Sequence, residues 1–320
     1  MATRFSIVIP VYNEAEVLPT LYQRLTQVME SLGEAYEVIF VNDGSHDASP
    51  ILIRELRAKD KRVKLISLAR NFGHQLAITA GLDHSIGQAV IVMDADLQDP
   101  PEVIPRIIEK WREGYDVVFA VRERRHGEGP FKRMTAALFY RLLRRLTATE
   151  IPLDAGDFRL MSRRAVEVLK AVRERNRFLR GLAAWVGFRQ TSLTFVRDVR
   201  YAGETKYPLW AMMKFALNGL TSFSTVPLQL SIYLGFAVSL ISLIYVVYVI
   251  GRQIFTDQFA PDWAFVIVAV LFLGGVQLIS LGIIGEYIGR IYEEVRQRPL
   301  YLINELMRFE QDSTHCNQAQ

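Results

Sequence analysis

A single cysteine, Cys316, in 320 residues leaves no partner for an intrachain disulfide and no Cys-based metal site. The five histidines, His46, His74, His84, His126 and His315, show no ligand spacing. No G-x-G-x-x-G follows the first apolar run and no G-x-x-x-x-G-K-[ST] occurs, so the usual dinucleotide and NTPase phosphate cradles are missing. A G-x-S-x-G nucleophile elbow is missing as well. Charge is absent from two stretches: residues 215–251 and 263–285 contain no Asp, Glu, Lys or Arg, although these make up 22 % of the chain. At the amino end the short apolar run Phe5–Val11 leads straight into Tyr12-Asn13-Glu14 with no small-residue cleavage site. That is not a signal peptide, and the globular part is expected to stay on the side where it is made.

What is present is a chain that is half hydrophobic with a formal net charge of +4. Such a composition excludes a disordered or collagen-like polymer. The mild positive charge suits nucleic acid, anionic lipid or a phosphorylated substrate without choosing among them. Short β-rich runs at Phe5–Pro10, Glu37–Val41, Val63–Leu68, Ala89–Met93 and Asp116–Val121 alternate with amphipathic segments near 15–32, 47–60, 73–86 and 101–113. The runs are continuously apolar, as in parallel strands covered on both faces. Their alternation with helices predicts an open, doubly wound α/β sheet, mostly parallel. Asp99-Pro100-Pro101 reads as a helix start with Asp99 as the N-cap.

The second half changes character. Residues 206–224, with Lys206 and Lys214 beside Tyr207, Leu209, Trp210, Met213, Phe215 and Leu217, read as an amphipathic helix on a bilayer surface. Val226–Gly251 and Trp263–Gly285 are each long enough to cross hydrocarbon. The connector Arg252–Asp262 has one basic residue, whereas the outer flanks carry Lys206, Lys214, Arg290, Arg296 and Arg298. Positive-inside counting puts both outer ends in the cytoplasm. The expected order is therefore a cytoplasmic globular domain (1–205), an interfacial helix (206–224), transmembrane helices at 226–251 and 263–285, a cytoplasmic juxtamembrane helix (286–310) and a flexible tail (311–320).

Polar and charged residues gather at the carboxyl ends of the predicted strands: Asn13 and Glu14, Asp43, Arg70, Asp94 and Asp96, and Arg122. In open α/β sheets that rim binds ligands, and five strand ends converging on it read as a site. If the chain stays extended through Asp94-Ala95-Asp96, both carboxylates point the same way and can share one cation, as Mg²⁺ or Mn²⁺ is shared with substrate phosphates. Residues 122–145 are rich in Arg and Lys, and Arg122, Lys132 and Arg133 lie near the rim, where they suit a phosphate. Arg200 and Lys206 lead into the surface helix, and a basic cluster beside a bilayer suits a lipid phosphate.

The segments Ser6–Glu14, Asn42-Asp43-Gly44-Ser45, Arg70-Asn71-Phe72-Gly73 and Asp94–Pro101 resemble glycosyltransferase family 2, in its polyprenyl-phosphate branch. Gly156–Leu160, Arg177–Gly181 and Ala202–Tyr207 extend the resemblance. It implies a GT-A catalytic domain that transfers a sugar, glucose above all, from a UDP-sugar to undecaprenyl or another polyprenyl phosphate with inversion, using Mg²⁺ or Mn²⁺. Carried over by position, Pro10, Tyr12, Glu14, Asp43 and Arg70 would hold the nucleotide, and Asp94, Asp96 and Gln98 the metal, diphosphate and sugar. Arg122, Lys132, Arg133, Arg200 and Lys206 would meet the acceptor phosphate. Asn42 stands where many relatives have Asp, and Gln98, in place of the Ser of mannose-transferring relatives, favours UDP over GDP donors. Asp157 matches the position discussed as a base, and it either accepts a proton or orients Arg159 or the acceptor. A homo-oligomer and a flippase for the product are further expectations, and a nucleic-acid partner is not expected. A processive family 2 polysaccharide synthase would need a Q-x-x-R-W element and more spans, and a non-catalytic scaffold would not need charged groups at five strand ends.

Overall fold

The computed structural model describes residues 3–122, 155–175, 177–196 and 263–307, with individual helical positions between 228 and 248. Within this, residues up to 196 and those from 298 onward form one compact unit, and the helical positions from 228 through 297 form another.

In the first unit, strands β1 (Phe5–Val11), β2 (Tyr36–Asn42), β3 (Val63–Leu68) and β4 (Ala89–Val92) occupy the expected runs and pair in parallel in the order β4-β1-β2-β3. Every residue of β1, β2 and β4 is buried, as expected of strands covered on both faces. Helices α1 (Leu18–Ser31), α2 (Ser49–Lys59), α3 (His74–His84) and α4 (Ile104–Arg112) provide that cover. Helix α1 buries Leu18, Leu21, Leu25 and Met29, one stripe at helical spacing, each burial stabilising by roughly 2 kcal/mol. Helix α3 lies so close to the sheet that a Cβ on Gly81 would collide with the Val8 side chain.

The sheet is mostly parallel, as expected, with two antiparallel strands in it. Eight strands run in the order β7-β5-β6-β4-β1-β2-β3-β8. Strand β5 (Val117–Arg122) does not lie beside β4; β6 (Ala155–Ser162) is inserted between them, antiparallel to both. The buried β6 carries Asp157 and Arg159, charges that hide a strand from an apolar pattern. Ser162 ends it and caps α5 (Arg163–Ala171), its Oγ accepting from Ala165 N at 3.4 Å. Helix α6 (Leu179–Trp185) follows, and β7 (Gln190–Phe195) closes that edge parallel to β5.

Asp99 is not a helix cap. A 3₁₀ turn at Pro101–Val103 has Pro100 at its N-cap position, α4 starts at Ile104, and Asp99 is buried ahead of both.

In the second unit, α7 runs from Trp263 to Val295, 33 residues or about 50 Å at 1.5 Å per residue. Its segment Phe272–Val295 is long and apolar enough to cross a membrane and is not buried inside the protein, the one helix of that kind among the described residues. The positions described between Leu228 and Tyr248 are helical, but the expected first span as a whole, 226–251, lies outside the described residues. So do the surface helix 206–224 and the tail 311–320.

The expected helix 286–310 is also corrected. Helix α7 continues to Val295, the chain turns with Gln297 at φ 48°, and Ile303–Met307 is a strand, β8, antiparallel to β3. Arg54 of α2 holds Glu305 of β8, with Nη2–Oε2 at 2.6 Å. An open edge of β3 offers unpaired N–H and C=O groups, and these outcompete a frayed helix for the returning chain.

Candidate active site

The chain reverses strand order at β1, with β2 on one side and β4 on the other, and in open α/β sheets the carboxyl ends of strands at such a switch point are where ligands bind. The turns after β1, β2 and β3 are joined there by side chain to main chain hydrogen bonds. Asp43 Oδ1 accepts from Phe72 N at 2.7 Å and Oδ2 from Gly73 N at 2.9 Å. Burial raises the Asp43 pKa, and the two N–H donors offset part of the rise. Both oxygens of this expected nucleotide ligand thus organise the loop that leads into α3. Asn42 donates from Nδ2 to Ser67 Oγ at 2.6 Å and accepts at Oδ1 from Ser45 N at 2.9 Å. Asn13, at φ 56°, accepts at Oδ1 from His46 N at 2.9 Å, and its own N–H reaches Ser45 Oγ at 3.0 Å. Gly44 sits at φ +69°, and a Cβ there would lie 2.6 Å from the Arg70 carbonyl carbon and the Asn71 nitrogen. Only glycine allows these two loops to touch.

On this framework Pro10 is buried in β1, Tyr12 and Arg70 are exposed and Glu14 is partly exposed. Arg70 stacks its guanidinium 4.1 Å from the Phe72 ring centroid. Arg122 closes β5 opposite Phe195 of β7. Lys132, Arg133, Arg200 and Lys206 lie outside the described residues.

The Asp94-Ala95-Asp96 segment corrects a premise of the sequence reading. Strand β4 ends at Val92 and the chain turns from Ala95, so alternation along an extended segment does not aim both carboxylates together. Asp96 Oδ1 accepts from Gln98 N at 3.1 Å, closing an Asx turn in which Leu97 takes φ 56°. Asp94 points elsewhere, to His74 at the start of α3, with Oδ1 and Nε2 at 3.3 Å.

That imidazole is the centre of a cluster the sequence did not disclose. Its Nε2 also lies 3.2 Å from Asp157 Oδ2. The β4–β6 register, in which Val92 faces Arg159, places Asp157 beside Asp94 past the strand end. Asp157 is buried and fully engaged: Oδ1 accepts from Arg159 Nη2 at 2.5 Å and Arg180 Nε at 3.2 Å, and Oδ2 from Arg180 Nη2 at 2.9 Å and Gln75 Nε2 at 3.3 Å. Burial alone would raise this carboxyl, but the His74 hydrogen bond and the charges of Arg180 and Arg159 hold it well below the usual carboxylate range. Burial would lower the His74 pKa, but its bonds to Asp157 and Asp94 raise it well above the ordinary value. Gln75 Oε1 accepts from Leu179 N at 3.1 Å and Arg159 Nη1 donates to Leu179 O at 2.9 Å, pinning the start of α6 to the same cluster.

His74, Gln75 and Arg180 were missed as site residues. The histidines were compared only with one another, whereas His74 finds its partners 20 and 83 residues away along the chain. The available signal was position, since His74 directly follows the turn after β3.

One ligand atom each from His74, Asp94 and Asp157 lies within 4.8 Å of the others, close enough to surround a cation. The two guanidiniums already on Asp157 make it the least suitable of the three. Asp94, with a quarter of its side chain exposed, and the partly exposed Asp96 and Gln98 offer the oxygen donors that a hard divalent ion takes.

Residues 6–170 match the family described as Glycosyl transferase family 2, slightly more than half of the chain. The chain belongs to glycosyltransferase family 2. Residues 226–291 of this transferase match a second family, the GtrB C-terminal hairpin. Its similar relatives include the Uncharacterized glycosyltransferase YkcC of Bacillus subtilis (strain 168), 53 % identical over 94 % of this chain and 93 % of that one. The Bactoprenol glucosyl transferase of Shigella phage SfX is 45 % identical over 94 % of this chain and 98 % of its own. Among solved structures, S. aureus TarS 1–349 in complex with UDP-GlcNAc aligns at TM-score 0.47 and 17 % identity, over 68 % of this chain and 66 % of that one.

Proposed function

We propose that this transferase moves a hexose, glucose above all, from a UDP-sugar to undecaprenyl or a similar polyprenyl phosphate at the cytoplasmic face of the membrane, with inversion. The observation that carries the reading is the 45 % identity to a bactoprenol glucosyl transferase along nearly the whole of both chains, apolar hairpin included. Helix α7 supports a membrane location, because an apolar helix left uncovered by protein needs another apolar surround. A two-span hairpin with both ends cytoplasmic completes the proposal.

In the reaction, an oxygen of the lipid phosphate forms a bond to the anomeric carbon as the bond from that carbon to the diphosphate breaks, releasing UDP. A phosphate monoester, with a second pKa of about 6, is already ionised at pH 7, so no proton has to be removed. That removes the need for a strong base, and the engaged Asp157 is a poor one. Its role in this reading is to orient Arg159 and Arg180. Asp94, Asp96 and Gln98 would hold Mg²⁺ or Mn²⁺, which when bound would take up charge on the departing diphosphate. Tyr12, Glu14 and Arg70 would meet the nucleotide, and Arg122, Lys132, Arg133, Arg200 and Lys206 the acceptor phosphate.

The test is incubation of membranes containing the protein with labelled UDP- and GDP-sugars and undecaprenyl phosphate, with and without EDTA. A lipid-linked product from UDP-glucose that EDTA abolishes is expected. No lipid-linked product with any donor would sink the proposal.

A further inference from the structure

His74, Arg159 and Arg180 face two carboxylates, Asp94 and Asp157, at this strand-end rim, and they are not equivalent. The guanidiniums are bonded to Asp157. Among the described residues it is the His74 imidazole that lies against both carboxylates, through one nitrogen at 3.3 and 3.2 Å. The two carboxylates come from different parts of the site. Asp94 follows β4, next to the turn that carries Asp96 and Gln98, whereas Asp157 belongs to β6 and is bonded to α6 through Arg180. His74 itself is held from a third direction. It begins α3, directly after Phe72 and Gly73, whose N–H groups Asp43 binds, and the next residue, Gln75, is bonded to Asp157 and to Leu179. A ring whose backbone is fixed at both of its neighbours is a stiff reference point for a carboxylate.

We infer that His74 is a positioning residue that fixes the orientation of Asp94 and ties it to the Asp157–Arg180 clamp, so that the metal-side and clamp-side carboxylates are set before substrate arrives. This rests on the proposed reading of Asp94 as a carboxylate for the metal-bound diphosphate. A group that holds a ligand from behind acts on metal affinity without touching the ion, and losing one costs about ten-fold or more in affinity or activity. His74 itself stays off the metal in this assignment, because its Nε2 already faces both carboxylates, at 3.3 and 3.2 Å.

The test uses the full-length protein in detergent and three measurements on the wild type, His74→Ala, His74→Gln and Asp94→Asn: UDP binding by calorimetry with and without Mn²⁺, the electron paramagnetic resonance of bound Mn²⁺, and thermal unfolding. Glutamine keeps an N–H donor at similar reach. The expected result is that His74→Ala loses about ten-fold in Mn²⁺-dependent UDP affinity, as Asp94→Asn does, keeps its metal-free UDP affinity, and is largely rescued in His74→Gln. Unchanged or tighter Mn²⁺-dependent binding in His74→Ala would overturn the inference while leaving the metal reading intact. Equal losses with and without Mn²⁺, accompanied by a lowered melting temperature, would reduce His74 to a fold-stabilising residue and overturn it too. A nitrogen coupling to Mn²⁺ in the wild type that vanishes in His74→Ala would make His74 a ligand, again against the inference. Wild-type UDP binding that is indifferent to Mn²⁺ would remove the metal reading and the inference together.

Discussion

Asn42, Gly44 and Asp157 show how much of this site is decided by single residues that never need to meet a substrate. Asn42 joins Ser67 and the Ser45 N–H, so Asn42→Ala, which removes both contacts in a buried position, is expected to destabilise by about 1–3 kcal/mol. Denaturant unfolding of the two proteins measures it. Asp157 separates two roles more sharply. A general base would impose its own titration on the rate, whereas a clamp for Arg159 and Arg180 would not. Asp157→Asn leaves a guanidinium that is 1 % exposed without its counter-charge, a loss of about 3–5 kcal/mol. The expected outcome is a large fall in melting temperature together with a low kcat, with every limb of the wild-type pH–rate profile kept in whatever activity remains. Near-normal stability with activity abolished at every pH would instead favour a direct role in chemistry.

Among the elements, β6 and β8 change the picture most. Strand β6 brings Asp157 to Asp94 because it runs antiparallel and starts at the rim where its neighbour β4 ends. A parallel strand in that slot would bring its last residue there, and a charge at its start would lie at the far edge. Strand β8 closes β3 with the chain that emerges from α7, and Tyr301 just before it donates to Asp83 Oδ2 at 2.7 Å. Truncation after Pro299 is expected to leave the β3 edge open and the protein less stable and prone to self-association. Size-exclusion chromatography in detergent beside the intact protein tests this, and an unchanged elution profile and melting temperature would contradict it.

For the whole molecule, acid is the revealing stress. The Arg164 hydrogen bond, against the opposing effect of burial and with help from the Ser162 hydroxyl, lowers the pKa of Asp116. Burial would raise Asp60, but bonds from Arg62 and Tyr22 lower it, and Asp157 is lowered further still. A carboxyl with a depressed folded pKa stabilises above its unfolded value of about 3.9, and that stability is lost as pH falls through the folded pKa. Asp43, raised by burial, contributes with the opposite sign. Melting temperature is therefore expected to drop steeply below about pH 4, and His74, which burial would lower but its two carboxylates raise, adds stability below about pH 6.5 that is lost as pH rises above it. A melting temperature that holds at pH 3 would show that these pairs contribute little.

The sequence by itself determined the parallel core and its rim. Continuous apolar runs such as Phe5–Val11 and Tyr36–Asn42 can be buried only as strands covered on both faces, and polar groups at their ends must then fall on one edge. It also marked the apolar stretch that became α7, because a charge-free run of 23 residues has few other uses. Only the tertiary structure decided where β6 and β8 pair, that Asp96 closes a turn while Asp94 leaves it, and that His74 links two carboxylates. The reason is physical. Apolar periodicity reports burial along one segment, whereas hydrogen bonds between residues 20 to 83 positions apart depend on which segments the sheet sets side by side.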